Sequence, residues 1–231
     1  MKRSAFFISA CCLCLTFSAY GQSTLFPKPT AKTVQKAQND PKALEVLNKA
    51  SAAYQKAGGV KAGFTIKVLS KGGNVRDNVS GNIYLKGSKF KIETGDMTTW
   101  FDGTNQWVYL PSNNEVNLSR PNSREQLMIN PVNVFELYKH GYNCKLLSDK
   151  SDKGKKLFQI ELKPYTNEAV QSIVVLFEKG SYRPANITIA NKDKSGSRIA
   201  IGSYITGQSY PEVMFTFQQK AYPNAEVIDL R

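Results

Sequence analysis

Residues 79–94 read Val79-Ser80-Gly81-Asn82-Ile83-Tyr84-Leu85-Lys86-Gly87-Ser88-Lys89-Phe90-Lys91-Ile92-Glu93-Thr94. Ile83 and Leu85 alternate with polar or amphipathic neighbours. Phe90 and Ile92 alternate with Lys89, Lys91 and Glu93. A period of two marks a strand with one face toward a core. The spacing predicts strands over 79–85 and 89–94, joined by a glycine-containing turn. The pattern extends both ways. Upstream, Phe64, Ile66 and Val68 alternate with Thr65 and Lys67, and Lys71-Gly72-Gly73-Asn74 reads as a hairpin turn. Downstream, short strands are expected at 99–101, 106–110 (ending at Pro111) and 115–118. Others follow at 143–148, 156–163, 170–178, 184–190, 197–204, 213–217 and 225–230.

Two segments break the series. Before it, Leu44, Val46, Leu47, Ala50, Ala53, Tyr54 and Ala57 recur at helical spacing. Asp40 suits the N-cap, Pro41 the first helical position, and Gly58-Gly59 the end. Within it, 121–143 reads as loop and short helix, with helical turns at Ser123–Leu127 and Val132–His140. One helix, a long meander, a helical interruption and more meander predict a barrel, a half-barrel or a curved sheet. A helix must then cover one apolar face.

The chain has 231 residues, enough for one domain with a real core, and a formal net charge of +13 spread along its length. Such a charge favours anionic partners, or serves solubility alone. Met1-Lys2-Arg3 followed by the apolar run Ala5–Phe17 and by Ala19-Tyr20-Gly21 reads as a secretory signal peptide over 1–21. Cleavage is expected after Gly21, and the mature protein is expected in the periplasm. Ile8-Ser9-Ala10-Cys11 also has the order that precedes a lipidated cysteine. However, apolar residues continue past Cys11, whereas a lipoprotein signal completes a longer apolar region first. Residues 22–40, with Pro27 and Pro29, read as a flexible linker, and 41–231 as the folded domain. Past the leader only Cys144 remains, so no intramolecular disulfide is expected; Cys144 reads as a small core residue.

The sequence supplies few catalytic groups. There is one histidine, His140. No His, Cys or carboxylate cluster has metal-ligand spacing, and no glycine-rich phosphate loop precedes a helix. Asp102-Gly103 between aromatic strands reads as a hairpin turn. The expectation is a non-enzyme with no catalytic residue, no metal, no cofactor and no nucleic-acid partner, acting as a monomer. What stands out is the aromatic content of the strands, which can form core or line a cavity.

Beside this reading stands a resemblance. Ser80–Lys91 is similar to a segment of the LolA family: a glycine, an alternating strand, a Lys-containing turn and a strand opening with an aromatic. Trp100-Phe101-Asp102-Gly103-Thr104-Asn105-Gln106-Trp107-Val108-Tyr109-Leu110-Pro111 resembles the family's strand, Asp-Gly turn, Trp-x-Tyr strand and following proline. Asn130-Pro131 falls where a lid helix is expected. Phe215-Thr216-Phe217 and Tyr222–Asp229 resemble the closing strand and tail. One departure is visible: the family commonly carries Arg-Pro in the turn after the glycine-led strand, and that Arg helps hold the lid closed. Here the turn is Lys86-Gly87-Ser88.

The resemblance implies an α+β fold, mainly antiparallel β: an incomplete (half) β-barrel with an N-terminal helix and a helical lid over an apolar cavity. It implies a periplasmic carrier that receives acylated lipoproteins from an inner-membrane lipoprotein-releasing transporter and ferries them to the outer membrane, to an acceptor where one exists. Alternatives are a related half-barrel acceptor or sensor, a binding module for another apolar ligand such as a glycolipid, or a hydrolase with an unrecognised site. The candidate cavity residues are Phe64, Ile66, Tyr84, Phe90, Trp100, Trp107, Phe158 and Phe177. Phe90→Glu is expected to abolish cargo binding in a protein that stays folded.

Overall fold

The computed structural model describes residues 39–122, 125–126, 131–149, 151–152, 155–165 and 169–231. The expected leader (1–21) and all of the expected linker (22–40) except Asn39 and Asp40 lie outside them.

Helix α1 (Pro41–Lys56) starts where its chemistry dictates. Asp40 is the N-cap, in extended conformation, and its carboxylate accepts from the Lys42 amide at 2.9 Å. Pro41 occupies the first turn, where its missing N–H costs nothing. Gly58, at φ +69°, takes the left-handed turn that leads out of the helix. The same Asp40 also reaches the sheet. Its amide donates to the Cys144 carbonyl at 2.9 Å, and its second carboxylate oxygen accepts from the Leu146 amide at 3.2 Å. Asn39 Oδ1 accepts from the Cys144 amide at 2.9 Å.

Thirteen strands form one sheet. They are β1 (Gly59–Leu69), β2 (Val75–Lys86), β3 (Lys89–Thr94), β4 (Thr98–Phe101), β5 (Gln106–Leu110) and β6 (Glu115–Ser119), then β7 (Tyr142–Ser148), β8 (Ser151–Asp152), β9 (Lys155–Pro164), β10 (Val170–Glu178), β11 (Pro184–Asn191), β12 (Gly196–Gln208) and β13 (Glu226–Asp229). The order is β13-β6-β5-β4-β3-β2-β1-β12-β11-β10-β9-β7, with β8 paired to β9. The sheet is open: β13 and β7 are its two ends. All pairs are antiparallel except β13–β6. The central pair β1–β12 carries register shifts at Gly59/Lys61 and Ala62/Phe64, and such bulges bend a sheet. Glycine is required at Gly81, where a Cβ would stand 2.2 Å from the Glu93 carbonyl oxygen.

Two sequence expectations change. Residues 213–217 are not a strand: Glu212–Phe215 is a 3₁₀ turn, followed by another at Gln219–Ala221. Val213, Phe215 and Phe217 do alternate, but the rings are drawn to aromatic partners on the outside of the sheet rather than to a free edge. The interruption after β6 contains 3₁₀ turns at Pro131–Phe135 and Leu137–Lys139 instead of a lid helix among the described residues. Glu125 and Gln126 are helical, while Ser123, Arg124, Leu127 and Asn130 lie outside the described residues.

The main core lies between α1 and one face of the sheet. Ala43, Val46, Leu47, Ala50 and Tyr54 of α1 meet Val60, Leu85, Phe90 and Phe101 on one flank. On the other flank they meet Leu162, Val175, Phe177 and Ile187, with Val134, Phe135 and Leu137 closing over the helix. Cys144 is buried here as expected, and burial pushes its thiol up to about 11. Two outcomes follow. Native Cys144 should resist a thiol reagent at neutral pH and react once denaturant is added. Asp40→Ala should cost about 1 kcal/mol through loss of the cap, with Asp40→Asn milder, measured by urea unfolding. Hydrogen bonds from the Leu146 and Lys42 amides lower the Asp40 pKa. Its contribution is therefore complete above the ordinary carboxylate range and lost as pH falls through the lowered value, so the Asp40→Ala deficit should shrink in acid.

Candidate functional site

Strand register divides the sheet's residues between two faces. Val60, Leu85, Phe90 and Phe101 are successive partners across β1, β2, β3 and β4, so they share the helix-covered face. Phe64, Ile66 and Phe90 lie on it, as do the mutually paired Phe158 and Phe177. Tyr84, Trp100 and Trp107 do not. Each sits one residue out of phase with that face, and Tyr84↔Lys91↔Trp100↔Trp107 runs across the outer face instead. The eight candidates therefore do not line one hollow.

The five that share the helix-covered face mostly fill it. Phe90 is fully buried and stacks on Phe101, with ring centroids 5.2 Å apart. Phe177 is fully buried and meets Phe135 at 5.8 Å. Ile66 packs with Met97 and Val108 in a second cluster. Phe64 bridges the two clusters, and Phe158 stacks on Tyr182 at 6.0 Å. Phe90 is thus core, and a glutamate there would be an unpaired buried charge. Phe90→Glu is therefore expected to destabilise the fold as well as any binding.

Phe64 also lines a shallow groove on the outer face, and on the helix-covered face a space lies at the C-terminal half of α1. A cavity of about 220 Å³ is lined by Ala50, Ala53, Tyr54 and Ala57 of α1, by Phe135, by Ser181-Tyr182-Arg183-Pro184, and by Tyr204 and Thr206 of β12. Its origin is steric: three alanines on one side of the helix leave room that larger side chains would fill. Tyr54 and Tyr204 are aromatic walls, and burial raises both phenol pKa values, so both stay neutral. The Tyr54 hydroxyl donates to the Gly87 carbonyl at 2.7 Å, which fastens α1 to the β2–β3 turn.

The rim is polar and strained. Arg183 binds Glu178 through two hydrogen bonds, Nε–Oε2 at 2.6 Å and Nη2–Oε1 at 3.0 Å. Between them Tyr182 takes φ +56°, a left-handed conformation that is uncommon for an aromatic residue. Lys49 Nζ sits 5.5 Å over its ring. The arrangement is an apolar slot with one guanidinium and one strained aromatic at its mouth. It can hold an alkyl group and offer a cation to a polar end. None of the eight candidates lines it. Ala50, Ala53, Tyr54 and Ala57 were visible in the sequence as residues at helical spacing.

Among the described residues no helix is long and apolar enough to cross a membrane. The chain resembles several solved structures. An uncharacterized conserved protein from Thermus thermophilus superposes with a TM-score of 0.57 at 11% identity, over 81% of this chain and 99% of that one. A LolA superfamily protein from Nitrosomonas europaea gives a TM-score of 0.44 at 14% identity, over 76% of this chain and 97% of that one. A putative outer membrane lipoprotein-sorting protein domain from Vibrio parahaemolyticus gives 0.43 at 16% identity, over 78% and 98%. No curated protein matches the chain. The sequence model of the family described as outer membrane lipoprotein carrier protein LolA matches residues 33–193. That span ends before β12, so the likeness read in Phe215–Phe217 and Tyr222–Asp229 falls outside it. It holds α1, β1 to β11 and most of the residues that line the cavity, and by it the chain belongs to the LolA family of outer membrane lipoprotein carriers.

Proposed function

We propose that this chain is a periplasmic carrier that shelters acyl chains of lipoproteins between α1 and the open sheet and delivers them toward the outer membrane. The observation that carries the reading is the apolar slot walled by Ala50, Ala53 and Ala57, where α1 covers one face of the sheet. The family match and the expected signal peptide support it. The donor would be an inner-membrane lipoprotein-releasing transporter, and the receiver an outer-membrane acceptor.

The slot sets the mechanics. Ligand pockets usually measure about 300–1,000 Å³, and this one holds about 220 Å³. Several acyl chains therefore enter only if the walls separate. Three contacts would have to yield: Tyr54 to Gly87, Tyr54 against Phe135 at 6.3 Å, and Phe158 against Tyr182. Each methylene sheltered from water contributes about 0.8 kcal/mol, which works against the loss of those contacts. The small volume also favours a second reading, a binding module for a single-chain amphiphile whose polar end meets Arg183.

Filling the slot separates cargo binding from stability. Ala53 is partly exposed, so Ala53→Trp should leave thermal unfolding nearly unchanged while reducing co-purified acylated cargo by about tenfold, the equivalent of two methylenes of burial. Native mass spectrometry of protein recovered after export reads this directly, and the ligand masses distinguish lipoprotein from single-chain amphiphile. Undiminished cargo on Ala53→Trp would count against the slot. Phe90→Glu should behave differently, with loss of the cooperative unfolding transition itself.

A further inference from the structure

The outer face of the sheet has an order that the cavity does not use. Register places Ile205, Lys61, Tyr84, Lys91, Trp100 and Trp107 in one row across β12, β1, β2, β3, β4 and β5. Lys61 and Lys91 stand over the Tyr84 ring at 5.4 and 6.0 Å, and Lys91 over Trp100 at 5.8 Å. A lower row pairs Lys67 with Arg198. At the hairpin end Lys86 and Lys89 hold Glu212 of the C-terminal turn. On this face Glu212 is held by Lys86 and Lys89 and Glu93 by Lys91, beside the further cations Lys61, Lys67 and Arg198. Two aliphatic side chains stand out beside them, Ile205 at 49% exposure and Val213 at 53%.

Between the two rows lies a groove of about 470 Å³, with Gly63, Gly81 and Gly202 in its walls, Phe64 at its floor, and Thr65, Ser80, Asn82 and Ser203 around it. Thr65 and Ser80 hydroxyls lie 3.2 Å apart, and the Ser203 hydroxyl accepts from the Gly63 amide at 3.0 Å. Hydroxyls and an amide flanked by cations form a setting for phosphate and glycerol oxygens.

We propose that this face docks the protein on an anionic phospholipid bilayer. The lysines meet lipid phosphates, the groove accepts a headgroup, and Ile205 and Val213 enter the interface beside the aromatic row. The residue types favour a bilayer over an acidic protein. Flexible point-charge lysines suit mobile headgroups, whereas protein interfaces are depleted in lysine. Isolated exposed aliphatics beside a basic surface suit the headgroup boundary. Because this face lies on the other side of the sheet from the slot, docking leaves the slot free.

The test is sedimentation of the protein, recovered after export, with phosphatidylcholine vesicles that contain or lack phosphatidylglycerol. Any leader retained is common to all variants, so differences between variants are read. The protein should bind the anionic vesicles, release them as salt rises, and largely ignore the neutral ones. Lys61→Glu/Arg198→Glu should weaken binding by about tenfold or more, while Lys42→Glu/Lys56→Glu on α1, with the same net charge, should not. The Trp107 emission should shift to shorter wavelength on binding, and Ile205→Ser/Val213→Ser should remove that shift. Thermal unfolding of each variant checks the fold. Absent binding to anionic vesicles, equal losses in both charge pairs, or capture by polyglutamate in place of vesicles would overturn the proposal. Ala53→Trp should dock as well as the unaltered protein, so failure here is distinct from failure of the cargo reading.

Discussion

Among the described residues, helix α1 covers an apolar sheet face that is far wider than itself, and the rest of the structure follows from that mismatch. At 1.5 Å per residue, the sixteen residues of α1 extend roughly 24 Å. Twelve strands in sequence, about 4.8 Å apart, span roughly 53 Å along the sheet. A flat sheet would leave more than half of its apolar face wet. Curling the sheet about the helix brings both flanks, Phe90 with Phe101 and Phe177 with Ile187, onto the same helix. The register shifts in β1–β12 stand in the middle of the strand order, where bending brings the two flanks toward each other. Asp40 fixes the phase of the arrangement. One carboxylate oxygen caps the helix and the other holds the β7 edge, so helix and sheet end cannot slide independently. Occupying that edge also removes backbone donors that would otherwise invite a foreign strand.

The outer face solves a second problem. Val116 and Leu118, buried on β6, and Trp100 on β4 would be wet without a cover. The C-terminal segment supplies one. Phe217 and Tyr222 meet Trp100 edge-on at 5.6 and 5.7 Å, Tyr222 reaches Tyr109 at 4.6 Å, and Tyr210 meets Tyr84 at 5.9 Å. β13 then returns beside β6, which is why that pair alone is parallel. Glu212 sits between Lys86 and Lys89, whose hydrogen bonds hold its carboxyl down to about 2. This pairing is solvent-exposed, so it sets where the segment lies more than how tightly it is held. The aromatic contacts provide the adhesion.

These two covers explain what the sequence made legible. Strands 89–94, 106–110 and 170–178 coincide with β3, β5 and β10, because turn residues and alternation are local signals. The helix is equally local, from Asp40 to Gly58. Assigning rings to a face is different. In β2 the phase was visible, since Ile83 and Leu85 bracket Tyr84 and only one set can face the core. In β4, Thr99-Trp100-Phe101, both phases are apolar or small, and both faces of the sheet are covered there. Alternation then cannot say which cover a ring meets, because the answer lies more than a hundred residues away at Phe217 and Tyr222. The slot was hidden for the opposite reason. It is made by what Ala50, Ala53 and Ala57 lack, and an absence of bulk has meaning only once the facing surface is known.

The closed state of the slot bears on how a carrier can release what it holds. Acyl burial alone, at about 0.8 kcal/mol per methylene, would make a fully enclosing cavity bind too tightly to let go. In the proposed reading this chain meets that problem with contacts that compete with cargo: Tyr54 to Gly87, Tyr54 to Phe135, and the strained Tyr182 on Phe158. Cargo gains burial only by separating them, and its departure restores them. Affinity is then a difference of two apolar burials, which leaves it within reach of an acceptor. At the turn after the glycine-led strand, the Gly87 carbonyl is bound by the Tyr54 hydroxyl. In this chain the tie between helix and turn is a phenol on the helix. A neutral hydroxyl bonded to one carbonyl is a weaker tie than a charge-assisted one. In such a protein the core under α1 sets the cost of opening more than the lock does.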